Sequence, residues 1–412
     1  MYEENILSIT RQVHYSLKNE NSIDVVLFVN GLPISTIELK NAITGQTVAN
    51  AKKQYMHDRS SHDLLLRFKS RCIVHFAVDT DEVWMTTRLK GIDTYFLPFN
   101  KGNNGGKGNP VGGGNYRTSY LWDEVLQKDS ILDIIHRFIH LENTEKETLI
   151  FPRYHQLDVV RKLVSDVKDK GTGNNYLIQH SAGSGKSNSI AWLSHHLSNL
   201  HDANDKVIFN STIVITDRRV LDKQLQDTIY QFEHVEGVVV KIDSDSTQLA
   251  EALNTGKKII ITTIQKFPFI LEKINNFEGK RFAIIVDEAH SSQSGKASQK
   301  MKAILGDANN FSEEKLLQQV ADDEAKEENT TLDSEDEITK EMSTHGKLSN
   351  LSFFAFTATP KPKTIETFGT VGINGIPKAF HVYSMKQAIE EGFILDVLKN
   401  YITYDTYFKV GK

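Results

Sequence analysis

The sequence has little cysteine, no long apolar run and no excess of positive charge. Its single cysteine, Cys72, excludes a disulfide within the chain and is typical of a reducing compartment. No stretch is long and apolar enough to span a membrane, and the first residues lack a basic leader with an apolar segment behind it. We therefore expect a cytoplasmic protein. The net charge of −5 means that any nucleic-acid surface must be a local patch.

What the sequence does contain is sufficient for several domains. Its 412 residues predict two or three domains, and 39% hydrophobic with 25% charged residues is an ordinary globular composition. Strand-like and helix-like segments alternate after residue 175, which is typical of a parallel sheet covered by helices. We therefore predict an α/β fold.

The most specific motif is the stretch 180–187, His-Ser-Ala-Gly-Ser-Gly-Lys-Ser, which we call the phosphate loop. It follows a short apolar run and precedes a helix-like segment, as a phosphate-binding loop requires. Lys186 would reach the β- and γ-phosphates, and Ser187 would hold Mg²⁺, while His180 stands where the general pattern has its first glycine. The backbone N–H groups around the phosphates would come from Gly183, Ser184 and Gly185.

A second motif argues against the alternative that this loop is only a glycine-rich turn. About 100 residues further on, a buried-strand pattern at 282–286 is followed by Asp287-Glu288-Ala289-His290. Asp287 can complete the Mg²⁺ shell, and Glu288 can polarise the attacking water. We assign His290 to the same site. The two motifs together predict a nucleoside triphosphate site.

A tight hairpin is predicted near the N-terminus. Two strand-like segments flank Asn30-Gly31, the strongest short hairpin signal, because both turn positions need φ > 0. A two-residue turn would pair Asp24 with Ile37. A one-residue bulge near Pro33 would instead set Asp24 beside Glu38. Both registers bring two carboxylates to one end of the hairpin.

These carboxylates and a nearby lysine suit metal-dependent phosphodiester cleavage. Asp24, Glu38 and the Leu39 carbonyl offer the hard oxygen ligands that Mg²⁺ prefers. Lys40 would position the attacking water or stabilise the charge on the phosphate. The alternative is that these charged residues only decorate the surface of a hairpin.

The motifs together resemble a known family. Asp24 followed by Glu38-Leu39-Lys40 resembles the PD-(D/E)xK nuclease core, with Ile23 in place of the proline. Placed ahead of the motifs at 180–187 and 287–290, it resembles the restriction (motor and nuclease) subunit of type I restriction–modification enzymes, over essentially the whole chain. The resemblance implies a nuclease-like mixed-sheet domain, then a RecA-like domain of superfamily 2 helicases. It also implies ATP and Mg²⁺ as cofactors, and double-stranded DNA, a methylation subunit and a specificity subunit as partners.

Further site residues follow only from the resemblance. This family often carries Gln-x-x-x-Tyr on a helix after the nuclease strand, so Gln54 is assigned to the catalytic site, although Asp58 stands where the tyrosine would be. Superfamily 2 helicases recognise adenine with an aromatic residue and a glutamine ahead of the phosphate loop. Tyr154 and Gln156 are the candidates here, unless they only begin a helix.

For other helicase-like positions, a purely structural role is nearly as well supported as a role in DNA binding. Arg218, Thr263 and Gln265 resemble residues that contact the DNA backbone, but they could equally be helix caps and solvated loop residues. Residues 357–360, Thr-Ala-Thr-Pro, resemble the motif that links hydrolysis to strand contact. The acidic run at 312–343 would repel DNA and is predicted to be a solvated loop.

We predict three segments along the chain. Residues 1–145 form the PD-(D/E)xK endonuclease-like domain, including a linking helix over 120–141, and 146–380 form the first RecA-like domain. Residues 381–412 are predicted to begin a second motor domain. The glycine–asparagine tract at 101–115 is predicted to be a mobile loop.

The expected function is that of an ATP-dependent type I site-specific deoxyribonuclease, which translocates and cleaves unmodified double-stranded DNA. In superfamily 2 motors the second RecA-like half supplies an arginine finger, which is worth roughly 10³–10⁵ in rate. No second set of motor motifs follows in this sequence, so we expect a fragment with little ATPase activity. Two alternatives remain: a superfamily 2 helicase whose N-terminal domain only clamps DNA, and a non-catalytic assembly module.

Overall fold

The computed structural model describes residues 2–111, 116–142, 147–216, 219–232, 237–242, 246–263, 279–287, 349–372 and 374–396. Two sheets dominate these residues, one six-stranded and mixed, the other seven-stranded and parallel. The predicted α/β class is therefore confirmed. None of the helices in the described part of the chain is long and apolar enough to cross a membrane.

The N-terminal sheet is built around the predicted hairpin. Its strands lie in chain order: β1 (Leu7–His14), β2 (Ser22–Val29), β3 (Leu32–Leu39), β4 (Val74–Val78), β5 (Val83–Thr86) and β6 (Leu97–Pro98). Only β3 and β4 are parallel, because α1 (Val48–His57) connects them and returns the chain to the same edge. A 3₁₀ turn, Ala42–Thr44, precedes α1.

Helix α1 has a clear start and one apolar face. Thr47 and Asn50 form a capping box, and the Asp79 carboxylate accepts a hydrogen bond from the Val48 N–H at 2.7 Å. Val48, Ala51 and Tyr55 are buried at helical spacing. This face packs on the sheet, so α1 covers β3 and β4.

The hairpin register decides where the carboxylates lie. Asn30 and Gly31 adopt φ of 52° and 79°, as the turn requires. Val29 pairs with Leu32, but Val25 pairs with Ile37, because a bulge shifts the register between Leu27 and Phe28. The bulged register predicted as one of two possibilities is therefore confirmed. Continued by one residue, it sets Asp24 beside Glu38.

The linking helix predicted over 120–141 is wrong in its extent. A π-helical turn, Leu121–Val125, is followed by α2 (Lys128–Arg137), and the chain then forms β7 (His140–Glu142), which pairs with β8 (Thr148–Ile150). The break lies at Gln127, whose backbone is extended. Burial of Leu121 and Val125 stabilises the separate first turn.

The parallel sheet has the order β11–β12–β10–β13–β14–β9–β17. Its strands are β9 (Asn175–His180), β10 (Ser211–Thr216), β11 (Val239–Lys241), β12 (Ile259–Thr263), β13 (Phe282–Asp287), β14 (Leu351–Thr357) and β17 (His381–Tyr383). The helices are α3 (Tyr154–Lys170), α4 (Lys186–Ser198), α5 (Arg219–Gln231), α6 (Ser246–Asn254), α7 (Pro362–Phe368) and α8 (Met385–Glu390), and a small hairpin joins β15 (Thr370–Val371) to β16 (Pro377–Lys378). Since all seven strands are parallel, their carboxyl ends meet at one edge.

Strand β17 lies beyond the boundary predicted at residue 380. His381 and Tyr383 pair with Ile178 and His180 of β9, so residues 381–383 complete the edge of the same parallel sheet. A boundary at 380 would separate this strand from the sheet that it joins. The remaining domain limits stay predictions.

The glycine–asparagine tract differs from the predicted mobile loop in its described part. Gly102 donates its N–H to Gly108 O, and Asn103 exchanges two backbone hydrogen bonds with Gly106. The Lys107 N–H donates to Glu390 of α8 at 2.8 Å. The tract therefore connects the N-terminal part of the chain to the parallel-sheet part.

Candidate active sites

The first candidate site lies where β2 and β3 run side by side. Asp24 accepts hydrogen bonds from the Leu39 N–H at 2.8 Å and from the Gln12 side chain at 3.1 Å. The Lys40 amine lies 3.8 Å from the same carboxylate. Asp24, Glu38 and Lys40, which we call the carboxylate site, are thus brought together as the sequence predicted.

Glu38 is the buried member of the carboxylate site. Its side chain is fully buried, and one oxygen accepts a hydrogen bond from the Arg59 guanidinium at 2.7 Å. The other oxygen, Oε2, has no hydrogen-bond partner. The pKa of the Glu38 carboxyl is raised to about 7, chiefly by burial, while Arg59 lowers this pKa and Asp24 raises it. The structure thus leaves one buried carboxylate oxygen available.

The donor set fits a hard divalent cation. Within the described ranges, no three His, Cys, Asp or Glu side chains are grouped so as to hold a metal ion. A cation between Asp24 and Glu38 would therefore take its remaining ligands from the Leu39 carbonyl and from water, which Mg²⁺ accepts readily. The unpartnered Oε2 of Glu38 is the observation that supports this fit.

Gln54 is not brought into the carboxylate site by a hydrogen bond. It lies half-buried on α1, and its side chain makes no hydrogen bond to Asp24, Glu38 or Lys40 in the described structure. The next residue, Tyr55, is buried instead and its hydroxyl lies 2.8 Å from the Thr36 hydroxyl. The role assigned to Gln54 stays a prediction.

Sequence reasoning missed Arg59 and Gln12. Arg59 follows the end of α1 and is only 6% exposed. Gln12 has a positive φ of 51° directly beside Asp24, an uncommon conformation for a residue other than glycine. Neither residue belongs to a spaced motif, so a sequence signal for them was lacking. Their place depends on how β1 and α1 pack around the hairpin.

The second candidate site is the phosphate loop between β9 and α4. Gly183 and Gly185 have φ of 71° and 74°, which glycine adopts readily. A Cβ on Gly185 would lie 2.5 Å from the Gln156 amide nitrogen, so a side chain there would displace this amide from the loop. Lys186 is the first residue of α4 and Ser187 the second, which places both at the helix N-terminus.

Residues at the start of α3 bind the loop carbonyls. The Gln156 amide donates to Gly185 O at 3.0 Å and to Ser184 O at 3.3 Å, and its own oxygen accepts the Arg153 N–H. Arg153 donates to Gly183 O at 3.0 Å, and a His155 ring nitrogen lies 2.9 Å from Ser184 O. The amide of Gln156, which was predicted to recognise adenine, thus binds the loop carbonyls, and that role stays a prediction. Arg153 and His155, which the sequence did not single out, bind the same loop.

Tyr154 points away from the phosphate loop. The centroid of its ring lies 5.8 Å from that of Phe99 and 5.0 Å from that of Tyr120. Its hydroxyl donates to Glu124 at 3.4 Å. Its side chain thus contributes to the core between the two sheets. The structure does not bring Tyr154 to the position of an adenine-stacking residue.

His180 replaces the first glycine of the motif and is completely buried. Its Nε2 lies 2.8 Å from His381 Nδ1, and His381 Nε2 lies 3.0 Å from the Asp158 carboxylate. Burial holds the pKa of His180 well below its usual range, so the ring is neutral. This row of side chains ties β9, β17 and α3 together beneath the loop.

The second predicted motif is only partly described. Asp287 ends β13, and β14 lies between β13 and β9, so Asp287 is at the same sheet edge as the phosphate loop. Thr263 ends β12 at that edge too. Several predicted residues lie outside the described ranges, as does the acidic run at 312–343: Arg218, Gln265, Glu288 and His290.

A cavity of about 360 Å³ adjoins the phosphate loop. Both parts of the chain line it, and the lining includes Gly183, Gly185, Gln156 and Asn188 from the parallel-sheet part and Arg88 and Tyr95 from the N-terminal part. A mixture of backbone, aromatic and polar groups in a cavity of this size is typical of small-molecule sites. The cavity is therefore a candidate small-molecule site beside the loop.

Comparisons with known proteins agree with the motifs. Residues 2–93 match the family model for the type I restriction enzyme R protein N terminus, and residues 155–312 match that of the SWI2/SNF2 ATPase. A type I restriction enzyme endonuclease subunit from Staphylococcus saprophyticus is 25% identical over 408 residues, covering 97% of this chain and 37% of that protein. The HindI endonuclease subunit from Haemophilus influenzae is 26% identical over 293 residues, covering 66% of this chain and 26% of that protein.

Among solved structures, the SWI2/SNF2 ATPase core of Sulfolobus solfataricus in complex with dsDNA is 16% identical. The match covers 53% of this chain and 35% of the Sulfolobus chain, with a TM-score of 0.31. The chain spans little more than a third of the length of the curated relative from Staphylococcus saprophyticus. The family model and the curated relatives confirm the predicted resemblance to the restriction subunit of type I restriction enzymes.

Proposed function

We propose that this chain is the nuclease and first motor part of a type I restriction subunit, with the carboxylate site cutting DNA and the phosphate loop binding ATP. The N-terminal sheet with α1 would be the PD-(D/E)xK endonuclease domain. The parallel sheet, including β17, would be the first RecA-like domain. The family match over 2–93 and the ATPase match over 155–312 support this assignment.

The observation that carries the nuclease proposal is the bulged register, which, continued by one residue, sets Asp24 beside Glu38. Two carboxylates lie at one end of a hairpin, one of them buried with a free oxygen, and Lys40 stands 3.8 Å from Asp24. Asp24, Glu38 and the Leu39 carbonyl would hold Mg²⁺, which supplies Lewis-acid activation of a water. Lys40 would bind a non-bridging oxygen of the scissile phosphate and offset its negative charge.

The motor proposal depends on the phosphate loop. Loop N–H groups and Lys186 would bind the phosphates, and Ser187 with Asp287 would hold the nucleotide-bound Mg²⁺. Glu288 would polarise the attacking water and His290 would line the same site, as the resemblance implies. Gln156 already binds the loop carbonyls, so its amide would connect nucleotide binding to α3.

The proposed partners are supported by the relatives, which are endonuclease subunits of type I restriction enzymes. We propose that the chain acts on unmodified double-stranded DNA, together with a methylation and a specificity subunit. In that assembly, ATP hydrolysis would move the DNA, and the carboxylate site would cleave it.

The test is cleavage of unmodified plasmid DNA by the assembled enzyme with Mg²⁺ and ATP. We expect Glu38→Gln to abolish cleavage while retaining ATPase activity, because the amide cannot replace the carboxylate as a metal ligand. Cleavage at the wild-type rate by the Glu38→Gln enzyme would exclude the carboxylate site as the cutting centre. ATPase without cleavage in the wild type would favour a DNA clamp.

A further inference from the structure

Arg59 lies outside the predicted motif but binds Glu38 directly. Its Nε donates to Glu38 Oε1 at 2.7 Å, and its Nη2 donates to the Ser22 carbonyl at 2.7 Å. The guanidinium thus bridges β3 to the first residue of β2. This one side chain thus connects the start of β2, which carries Asp24, to the end of β3, which carries Glu38.

The bridge leaves one carboxylate oxygen unused. Arg59 occupies Oε1, whereas Oε2 of Glu38 is buried without a partner. A buried polar atom without a hydrogen bond is costly, so such atoms call for an explanation in terms of a ligand or a function. An arginine that satisfied Glu38 only for stability could bind both oxygens, since its planar fork matches a carboxylate.

We propose that Arg59 is a positioning residue of the carboxylate site, which holds Glu38 through Oε1 so that Oε2 faces a divalent cation shared with Asp24. The inference rests on the proposed nuclease function and adds a residue to it. Groups that orient metal ligands through hydrogen bonds typically change metal affinity by about 10–100-fold when they are replaced.

Geometry, and not charge alone, distinguishes this role from simple neutralisation. Arg59 and Glu38 are both buried, so loss of the positive charge would leave the carboxylate without a compensating charge and lower the stability of the chain. Lysine supplies that charge as a point and cannot bind Glu38 and Ser22 together in the same fork. Arg59→Lys therefore separates charge compensation from positioning.

The chain contains a matched control. Arg161 also bridges a carboxylate and a backbone carbonyl, since its Nη2 binds Asp133 at 3.1 Å and the Ser130 carbonyl at 3.0 Å. These residues belong to α2 and α3, outside the carboxylate site. Arg161→Lys changes the same chemistry without touching Asp24 or Glu38.

The experiment measures Mn²⁺ binding to the whole chain by electron paramagnetic resonance titration, with thermal unfolding as a check of folding. We expect Glu38→Gln to lose the site, Arg59→Lys to bind Mn²⁺ about tenfold or more weakly, and Arg161→Lys to bind as the wild type does. Arg59→Gln is the second variant. Its amide is shorter than the guanidinium and cannot bind Glu38 and the Ser22 carbonyl together, so we expect the same weakening, and the test stays valid if the lysine variant does not fold.

Two results would overturn the inference in different ways. If folded Arg59→Lys or Arg59→Gln binds Mn²⁺ as tightly as the wild type while Glu38→Gln has lost the site, Arg59 serves stability only and the proposed nuclease function stands. If wild-type binding does not depend on Glu38, the carboxylate site itself is not a metal site, and both the proposed function and this inference fail.

Discussion

The two candidate sites are built in opposite ways. The phosphate loop is one continuous stretch, and its geometry comes from glycines and from a helix N-terminus directly behind them. The carboxylate site lies on the hairpin but depends on two further segments: Gln12 of β1 donates to Asp24, and Arg59, which follows α1, donates to Glu38. A local motif carries its own geometry, whereas a distributed site exists only once the sheet has formed.

The largest expected effect is that of Lys186→Ala, which should impair the phosphate loop and leave the carboxylate site intact. Loss of one charge-stabilising group costs about 10²–10³ in rate, so we expect ATP turnover by the assembled enzyme to fall by that factor. Mn²⁺ binding at the carboxylate site should be unchanged, because that site lies in the other sheet. Lys170→Ala, which removes an exposed ion pair with Asp166, is the control and should leave turnover intact. Equal loss of Mn²⁺ binding in the Lys186 variant would mean that the sites are not independent.

The stability of the N-terminal sheet should depend on pH through His75, a buried histidine in β4. Burial lowers the pKa of His75 to about 4, from 6.5 in the unfolded chain, so the folded state favours the neutral ring. Its contribution to stability is present above pH 6.5 and is lost as the pH falls towards 4. The full effect is on the order of 3 kcal/mol.

Unfolding of wild type and His75→Gln by denaturant at pH 7.5 and pH 4.5 measures this contribution. We expect the wild type to lose more stability than the variant between these pH values. The same loss in both proteins would show that His75 does not titrate as its burial implies.

Gly185→Ala tests whether the backbone geometry of the phosphate loop requires glycine at this position. Gly185→Ala combines a positive φ with a Cβ 2.5 Å from the Gln156 amide, so we expect a loss of about 2–3 kcal/mol in the free energy of unfolding. Gly256→Ala shares the positive φ but has open space around it, and should cost only about 1 kcal/mol. Denaturant unfolding of both variants compares the two values. Equal costs would mean that the Gln156 contact is easily displaced.

The smallest effect is expected beneath the carboxylate site. Tyr55→Phe removes the hydroxyl that lies 2.8 Å from Thr36, while Thr36 keeps its contact with His75 at 2.7 Å. We expect a loss of about 1 kcal/mol, the net worth of one buried hydrogen bond. Denaturant unfolding measures this loss. A loss above about 3 kcal/mol would indicate that Tyr55 supports the whole α1–sheet contact.

Sequence reasoning succeeded where the signal was local. Asn30-Gly31 predicted the turn because its φ values favour these residues, and the glycine-rich loop predicted the strand–loop–helix unit. It failed at the linking helix over 120–141, because apolar spacing does not distinguish one long helix from a π-turn followed by α2. The break there depends on packing of Leu121 and Val125 in the core.

The glycine–asparagine tract teaches the same lesson from composition. Residues this polar and flexible predicted a mobile loop, yet Lys107 and Gly105 bind Glu390 and Ser384, which follow them by 283 and 279 positions. A contact across such a separation leaves no trace in the composition of either segment. Only packing of the two parts of the chain reveals it.

The sequence by itself determined the class of fold, the phosphate loop and the presence of two carboxylates on one hairpin, because each depends on residues close together along the chain. The tertiary structure alone decided that the bulged register sets Asp24 beside Glu38, that Arg59 holds one oxygen of Glu38, and that Tyr154 faces the core. These outcomes depend on which side chains find room when the two sheets pack. Burial and hydrogen bonding between distant segments are properties of the folded chain and of no segment alone.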